Sequence, residues 1–153
     1  MKRKNILTLM VERVPGHLTY FLAKTDPETY ALDQLQRDGQ TVWDGVRNAQ
    51  AVRAIREMKS GDRVFIYHSM GDAAIVGVAD IVGDGRDDPA NPKLAVADFR
   101  FRGVIDPPVT LREIKESDLF GDWALVRQSR LSTMSVPPEF VRWIKSKRPK
   151  ASI

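Results

Sequence analysis

The alternation of apolar and polar positions predicts three consecutive strands in the middle of the chain. Residues 62–69 carry mostly apolar side chains at both odd and even positions, so this strand is expected to be central in a sheet. Residues 73–82 are similarly rich in Ile and Val, whereas residues 93–103 alternate apolar with charged positions and are expected to have one wet face. Residues 83–92, with two glycines, two prolines and three aspartates, are predicted to form a polar loop.

A further strand at residues 18–23 and several short helices are predicted around these strands from apolar spacing and from residues typical of helix ends. Gly39 is expected to close a helix over residues 32–38, and Asn48 to cap the start of a helix over residues 48–59. Two later helices are predicted to begin at Thr110, which has the capping-box spacing to Glu113, and at Pro137-Pro138. Because β-α-β units do not repeat, the pattern predicts an α+β domain built on a bent antiparallel sheet or small barrel.

Composition adds that the chain is one ordinary globular domain. It has 153 residues, of which 42% are hydrophobic and 29% charged. The absence of cysteine excludes disulfides, thiolate metal sites and a cysteine nucleophile. No apolar run approaches the ~20 residues that span a bilayer, and the first residues do not form a secretory signal. We therefore expect a cytoplasmic protein that does not associate with membranes.

The net charge of +4 suggests an anionic partner, but the positions of the charges weaken that inference. Without seven basic residues near the two termini, the body of the chain has 17 basic residues against 20 acidic ones. Bulk charge therefore does not carry a nucleic-acid function, and the basic end of the chain is expected to be solvated. The seven residues are Lys2, Arg3, Lys4, Lys145, Lys147, Arg148 and Lys150.

Three short segments are candidates for chemistry, each with a plainer alternative. Residues 43–48 place Trp43 before a glycine and a helix start, so Trp43 is either the wall of a pocket or a core residue. Arg47 in the same segment either meets an anion or forms a surface ion pair with Asp44. Residues 67–69 end a strand at His68, which is either a ligand-binding or titrating group or a structural one.

The third segment, residues 127–132, contains two arginines, a glutamine and two hydroxyl groups, which suit a base edge or a phosphate as well as a plain polar loop. A hydrolytic triad would have to combine His68 with one of several serines, but no Gly-x-Ser-x-Gly elbow is present. The chain also has only two histidines, fifty-one positions apart at His17 and His68, so no metal-ligand set is expected.

Taken in order, these segments resemble the EVE domain family. Residues 20–30 resemble its opening strand and Lys-(Ser/Thr)-x-Pro-x-x-(Tyr/Phe) turn, and residues 43–48 resemble its Trp-x-Gly-Val-Arg-Asn signature. The resemblance continues through Tyr67-His68-Ser69, Gly77, Asp88-Pro89, Pro92, Val109-Thr110-Leu111 and Arg130-Leu131-Ser132. The family includes bacterial single-domain proteins and the thymocyte nuclear protein group. The resemblance implies an N-terminal extension at residues 1–16, an EVE domain at residues 17–146 and a basic tail at residues 147–153.

The resemblance implies a PUA-like fold, a bent β-barrel with short flanking helices, and a module that binds nucleic acid. Related domains are associated with modified bases in DNA or RNA, so neither a catalytic step nor a cofactor is implied. An enzyme using His68 and a small-molecule-binding domain are the alternatives. The implied base pocket is lined by Lys24, Thr25, Trp43, Gly45, Val46, Arg47, Asn48, Tyr67, His68, Ser69, Arg130, Leu131 and Ser132.

The residue types in this implied pocket suit an unpaired base. An aromatic wall such as Trp43 would replace lost stacking, and polar groups near Gly45 and at Asn48 would read the base edge. Ser69 and Ser132 offer hydroxyl groups for the same edge. Three cations are expected to meet phosphates: Lys24, Arg47 and Arg130.

Overall fold

A computed structural model of the chain describes residues 18–153. The predicted N-terminal extension at residues 1–16 lies outside the described residues, as does His17. Within residues 18–153, six strands and five helices alternate irregularly. In chain order they are β1 (Tyr20–Thr25), α1 (Leu32–Asp38), β2 (Gln40–Trp43), α2 (Ala49–Arg56), β3 (Arg63–His68), β4 (Ala74–Asp88), β5 (Asn91–Thr110), α3 (Leu111–Glu116), α4 (Ala124–Arg127), β6 (Thr133–Ser135) and α5 (Pro138–Lys147).

The six strands form one mixed sheet in the order β2-β5-β4-β3-β1-β6. Strands β1 and β3 are parallel, and the other neighbouring pairs are antiparallel. The predicted α+β class is therefore confirmed, and so is the central position of β3. The hydrogen-bonded order is open, with β2 and β6 at its two edges, so the predicted closure into a barrel is not confirmed.

The capping residues correctly predicted where α2 and α3 begin and where α1 ends, whereas α2 ends at Arg56, three residues before its predicted end at residue 59. The Asn48 side-chain oxygen accepts hydrogen bonds from the backbone N–H groups of Gln50 (2.9 Å) and Ala51 (3.1 Å). The hydroxyl of Thr110 accepts from the N–H of Glu113 at 3.0 Å, and Gly39 follows α1 with a φ of 78°. None of the helices in residues 18–153 is long and apolar enough to cross a membrane.

The predicted polar loop at residues 83–92 is wrong, because β4 continues to Asp88 and β5 begins at Asn91. The two glycines serve packing here: a Cβ at Gly85 would clash with the carbonyl oxygen of Ile55 at the end of α2. The Gly85 N–H donates to the Met58 carbonyl at 3.0 Å, and Arg56 forms an ion pair with Asp87. The local composition of this segment is typical of a loop, but contacts with distant residues keep it in an extended conformation.

The predicted solvated tail is correct for Lys145, Lys147 and Lys150, which are exposed, but Arg148 and Ile153 pack on the domain. The Arg148 guanidinium donates to the carbonyl of Pro107 (2.6 Å) and forms an ion pair with Glu113 (3.1 Å). The side chain of Ile153 is buried, and its carbonyl accepts a hydrogen bond from Arg63 at 2.9 Å. The basic residues at this end of the chain are therefore partly used to attach it to the sheet.

The core fills both sides of the central strands. On one side Phe65 of β3 meets Phe140 of α5, with ring centroids 6.0 Å apart and planes nearly perpendicular. Leu35 of α1 and Ile55 of α2 are both fully buried and belong to the same hydrophobic cluster. Helices therefore cover the sheet, while the carboxyl ends of β1 and β3 carry polar side chains.

Candidate nucleic-acid interface

Five of the predicted site residues meet at the carboxyl ends of β1 and β3. Because these strands are parallel, Lys24 lies beside Tyr67, and Thr25 lies beside His68. The chain then turns, and the Ser69 N–H and hydroxyl both donate to the carbonyl of Thr25, at 3.0 and 3.3 Å. The fold thus brings together two segments that are about forty positions apart in the sequence.

Lys24 is a half-buried cation at the centre of this cluster. Its ammonium group donates to the carbonyl of Ser129 at 3.0 Å and lies 5.4 Å from the ring centroid of Tyr67. Its backbone N–H donates to the carbonyl of Ser132 at 2.8 Å. This hydrogen bond attaches the segment of residues 127–132 to the end of β1. Burial lowers the pKa of Lys24 from its ordinary value, and no carboxylate among residues 18–153 pairs with it.

Thr25 connects the cluster to Trp43 through a residue that the pocket prediction did not include, Tyr30. The Thr25 hydroxyl donates to the Tyr30 carbonyl at 2.7 Å, and the Tyr30 ring lies 6.0 Å from the Trp43 ring at an interplanar angle of 81°. The Tyr30 hydroxyl donates to Asp38 at 2.8 Å. Tyr30 is the aromatic residue that ends the Lys-Thr turn motif, so a signal for it was present in the sequence.

Trp43 itself is a core residue, with 8% of its surface exposed. Its ring stacks on Phe99 of β5, with centroids 4.9 Å apart and an interplanar angle of 26°. The structure thus gives Trp43 the core position left open as the alternative, without an open stacking face. Three further members of the predicted pocket are buried as well: Val46, Tyr67 and Leu131.

The loop between β2 and α2 exposes most of its polar residues. Gly45 has a φ of 78°, a conformation that favours glycine, and no heavy atom beyond its chain neighbours lies within 4 Å of where its Cβ would be. Arg47 is exposed and forms no ion pair with Asp44 or with any other carboxylate of residues 18–153. The side-chain oxygen of Asn48 is occupied by its two capping hydrogen bonds, which leaves less of that group for reading a base.

The loop before β6 exposes a second arginine. Arg130 is exposed and has no ion pair within the described part of the chain. The next residue, Leu131, is buried and lines an open groove of about 1630 Å³ between α2 and residues 118–145, and Trp43 does not line this groove. The Ser132 hydroxyl is 3.5 Å from that of Thr133.

His68 is engaged in a structural hydrogen bond. Its Nε2 accepts from the backbone N–H of Leu32 at 3.1 Å. Burial lowers the pKa of His68, and the negative charge of Asp33 opposes that shift. The hydroxyl of Ser69 donates to a carbonyl rather than to the imidazole, so these two neighbours do not form a nucleophile–base pair.

An open mixed sheet with short helices, in which a half-buried lysine at the ends of β1 and β3 pairs with no carboxylate of residues 18–153, defines an α+β domain with a candidate anion-binding site. Residues 19–147 match the EVE domain, so the chain belongs to the EVE domain family. Over 124 residues, 63% of this chain and 55% of the relative, it is 32% identical to thymocyte nuclear protein 1 of Rattus norvegicus. The chain spans about half the length of the curated relatives it matches.

Solved structures show the same fold. A crystal structure from Agrobacterium tumefaciens aligns with a TM-score of 0.82 at 28% identity, covering 88% of this chain and 96% of that one. The crystal structure of human THYN1 protein in complex with DNA containing 5-methylcytosine aligns with a TM-score of 0.78 at 24% identity. That alignment covers 86% of this chain and 98% of the human chain.

Proposed function

We propose that this chain is a nucleic-acid-binding module that recognises a modified base in DNA or RNA. The observation that carries the proposal is the half-buried Lys24 beside the loop of Arg130, together with the exposed Arg47: none of the three pairs with a carboxylate of residues 18–153. The human relative of the same fold, solved with DNA containing 5-methylcytosine, supports the choice of ligand. Under this proposal the module is cytoplasmic, acts by binding and not by catalysis, and consists of a PUA-like domain over residues 17–146.

Phosphate binding follows from the state of Lys24. A half-buried ammonium group without an anion nearby is poorly compensated, and burial lowers its pKa accordingly. A phosphate placed beside it would favour the charged form, so that ligand binding and protonation support each other. The exposed guanidinium groups of Arg47 and Arg130 would add two further phosphate contacts.

Base recognition at this site would use the aromatic ring of Tyr30. Trp43 is buried against Phe99, and the half-buried Tyr30 ring packs on the indole from the turn that follows β1. Stacking of a base on an aromatic side chain contributes about 1–3 kcal/mol. A buried methyl mark adds about 0.8 kcal/mol, which is a difference of about fourfold in affinity.

The experiment is a binding panel of short single-stranded oligonucleotides that differ only in one base modification, with 5-methylcytosine against cytosine as the first pair. Affinity is measured at two salt concentrations for the wild type and for Arg47→Gln and Arg130→Gln. Each substitution should reduce the slope of log affinity against log salt by about 0.7, the value for one phosphate contact on a single strand. The preference for the modified base should remain, because neither arginine is assigned to the base.

The matched control is Arg100→Gln, which removes an exposed arginine on β5, at the other end of the sheet, where Asp80 pairs with it. Its salt slope should equal that of the wild type. Equal affinity for modified and unmodified strands would reject base recognition while keeping phosphate binding. An absence of binding at low salt would reject the nucleic-acid function altogether.

A further inference from the structure

The first turn of α1 is capped from outside the helix. The residue before the helix, Ala31, has no side chain that accepts a hydrogen bond, although the first N–H groups of a helix lack partners within it. The imidazole of His68, at the end of β3, supplies the acceptor for the Leu32 N–H at 3.1 Å. A side chain thirty-six positions away in the sequence therefore replaces a local cap.

The same turn is also held from β1. Thr25 lies beside His68 in the sheet and donates from its hydroxyl to the carbonyl of Tyr30, two residues before Leu32. The two strand ends thus fix the turn on both sides of Ala31. Because Tyr30 is the ring that stands against Trp43, the position of this ring depends on both hydrogen bonds.

The surroundings of His68 contain two negative charges. His68 lines a small cavity of about 440 Å³ together with Asp33 of α1 and Asp106 of β5. Its neighbours in the adjacent strands, Thr25 and Ala74, carry no charge. Burial nevertheless dominates and lowers the pKa of His68 below its ordinary value of about 6.5.

We infer that His68 is a positioning residue whose protonation weakens the proposed nucleic-acid site, an inference that rests on the proposed function. A neutral Nε2 accepts the Leu32 N–H, whereas a protonated Nε2 is a donor that faces another donor, so the hydrogen bond is lost. The turn that carries Tyr30 then loses one of its two attachments to the sheet. A lowered pKa in the folded state means that this stabilisation is fully present above about pH 6.5 and is lost as the pH falls through the lower, folded-state value.

The test measures the affinity for a single-stranded oligonucleotide containing 5-methylcytosine between about pH 7.5 and 5.5 at constant ionic strength. The wild type should lose affinity as His68 becomes protonated, by at most about fivefold, which corresponds to the whole stability cost of a lost helix cap, about 1 kcal/mol. His68→Gln keeps an amide that can accept but does not titrate, so its pH profile should be flat. His17→Gln removes the other histidine of the chain and should keep the wild-type pH dependence.

A second measurement reads the hydrogen bond without any nucleic acid. The protection of the Leu32 amide against hydrogen exchange should fall in the wild type as His68 is protonated, and should not change with pH in His68→Gln. A wild type that binds with the same affinity at both pH values, or a pH dependence that survives in His68→Gln, would overturn the inference and leave the proposed function standing. If the wild type binds no oligonucleotide, the proposed function fails, and Leu32 protection still shows whether His68 controls the turn.

Discussion

The two ends of the β1–β3 strand pair use basic side chains in opposite ways. At the end where β3 begins, Arg63, Arg100 and Arg102 surround Asp80, at 3.6, 3.5 and 3.2 Å. Arg63 and Arg102 also donate to the carbonyls of residues 153 and 152. At the end where β3 stops, Lys24 and the nearby Arg130, which follows the Ser129 carbonyl that Lys24 contacts, have no carboxylate partner in the described part of the chain.

The difference teaches that counting basic residues does not locate an anion-binding surface. The Asp80 end contains three guanidinium groups, but the fold directs their donors to a shared carboxylate and to backbone carbonyls. At the opposite end no carboxylate of the described residues pairs with Lys24 or Arg130, so their positive charges are left for an anionic ligand. Burial without a partner, as at Lys24, is the more informative signal.

The largest expected effect is the loss of stability on removing the buried ring of Trp43. Trp43→Ala should lower the free energy of unfolding by about 3–5 kcal/mol, because it removes a buried aromatic ring from its contact with Phe99. Denaturant unfolding followed by circular dichroism measures the change. Val42→Ala, at an exposed position of the same strand, should change stability by less than about 0.5 kcal/mol. If Trp43→Ala leaves the free energy of unfolding nearly unchanged, the indole is not part of the core. Any loss of oligonucleotide binding by this variant could then be attributed to the site.

Asp80→Asn tests the ion pairs at the end of the sheet where β3 begins. The substitution leaves three guanidinium groups without their shared carboxylate, and because Asp80 is only 19% exposed we expect a loss of about 2 kcal/mol in the free energy of unfolding. Thermal and denaturant unfolding both report it. Asp122→Asn, which breaks a fully exposed pair with Arg127, should leave stability unchanged and so serves as the control. If both variants behave alike, the two ends of the sheet differ less than the geometry indicates.

Asn48→Ala should have the smallest effect on stability, about 1 kcal/mol, because it removes the side-chain cap of α2. The same change loosens the loop that carries Arg47, so oligonucleotide affinity should fall with it. Thr110→Ala removes the cap of α3 and controls for the loss of a helix cap as such. If Asn48→Ala and Thr110→Ala lower the oligonucleotide affinity equally, the start of α2 is not part of the binding site.

Helix ends could be predicted from the sequence because capping is local. Asn48, Thr110 and Gly39 each satisfy or terminate a turn within a few residues, so no knowledge of the rest of the fold was needed. The hairpin of β4 and β5 could not be predicted in this way. Its glycines and aspartates have loop-like local preferences, and only the approach of Gly85 to the end of α2 decides otherwise.

The sequence predicted which residues belong to the candidate site better than it predicted how they are buried and hydrogen-bonded. The motif resemblance selected Lys24, His68 and Arg130, and the sheet register brings the first two to one edge. The burial of Trp43 depends on Phe99, a residue in another strand, and apolar spacing cannot distinguish a pocket wall from a core residue. The structural hydrogen bond of His68 was likewise invisible, because its partner is a backbone N–H on a separate helix.

Helix α2 has a mechanical consequence that follows from its two attachments. Its carboxyl end is fastened to the long hairpin by Gly85 and by the Arg56–Asp87 pair, and its other end begins at Asn48, beside Arg47. Eight residues of helix make a rigid spacer about 12 Å long. The hairpin therefore anchors the helix from which the loop of Arg47 extends, and a bulkier side chain at position 85 would displace the carboxyl end of that helix.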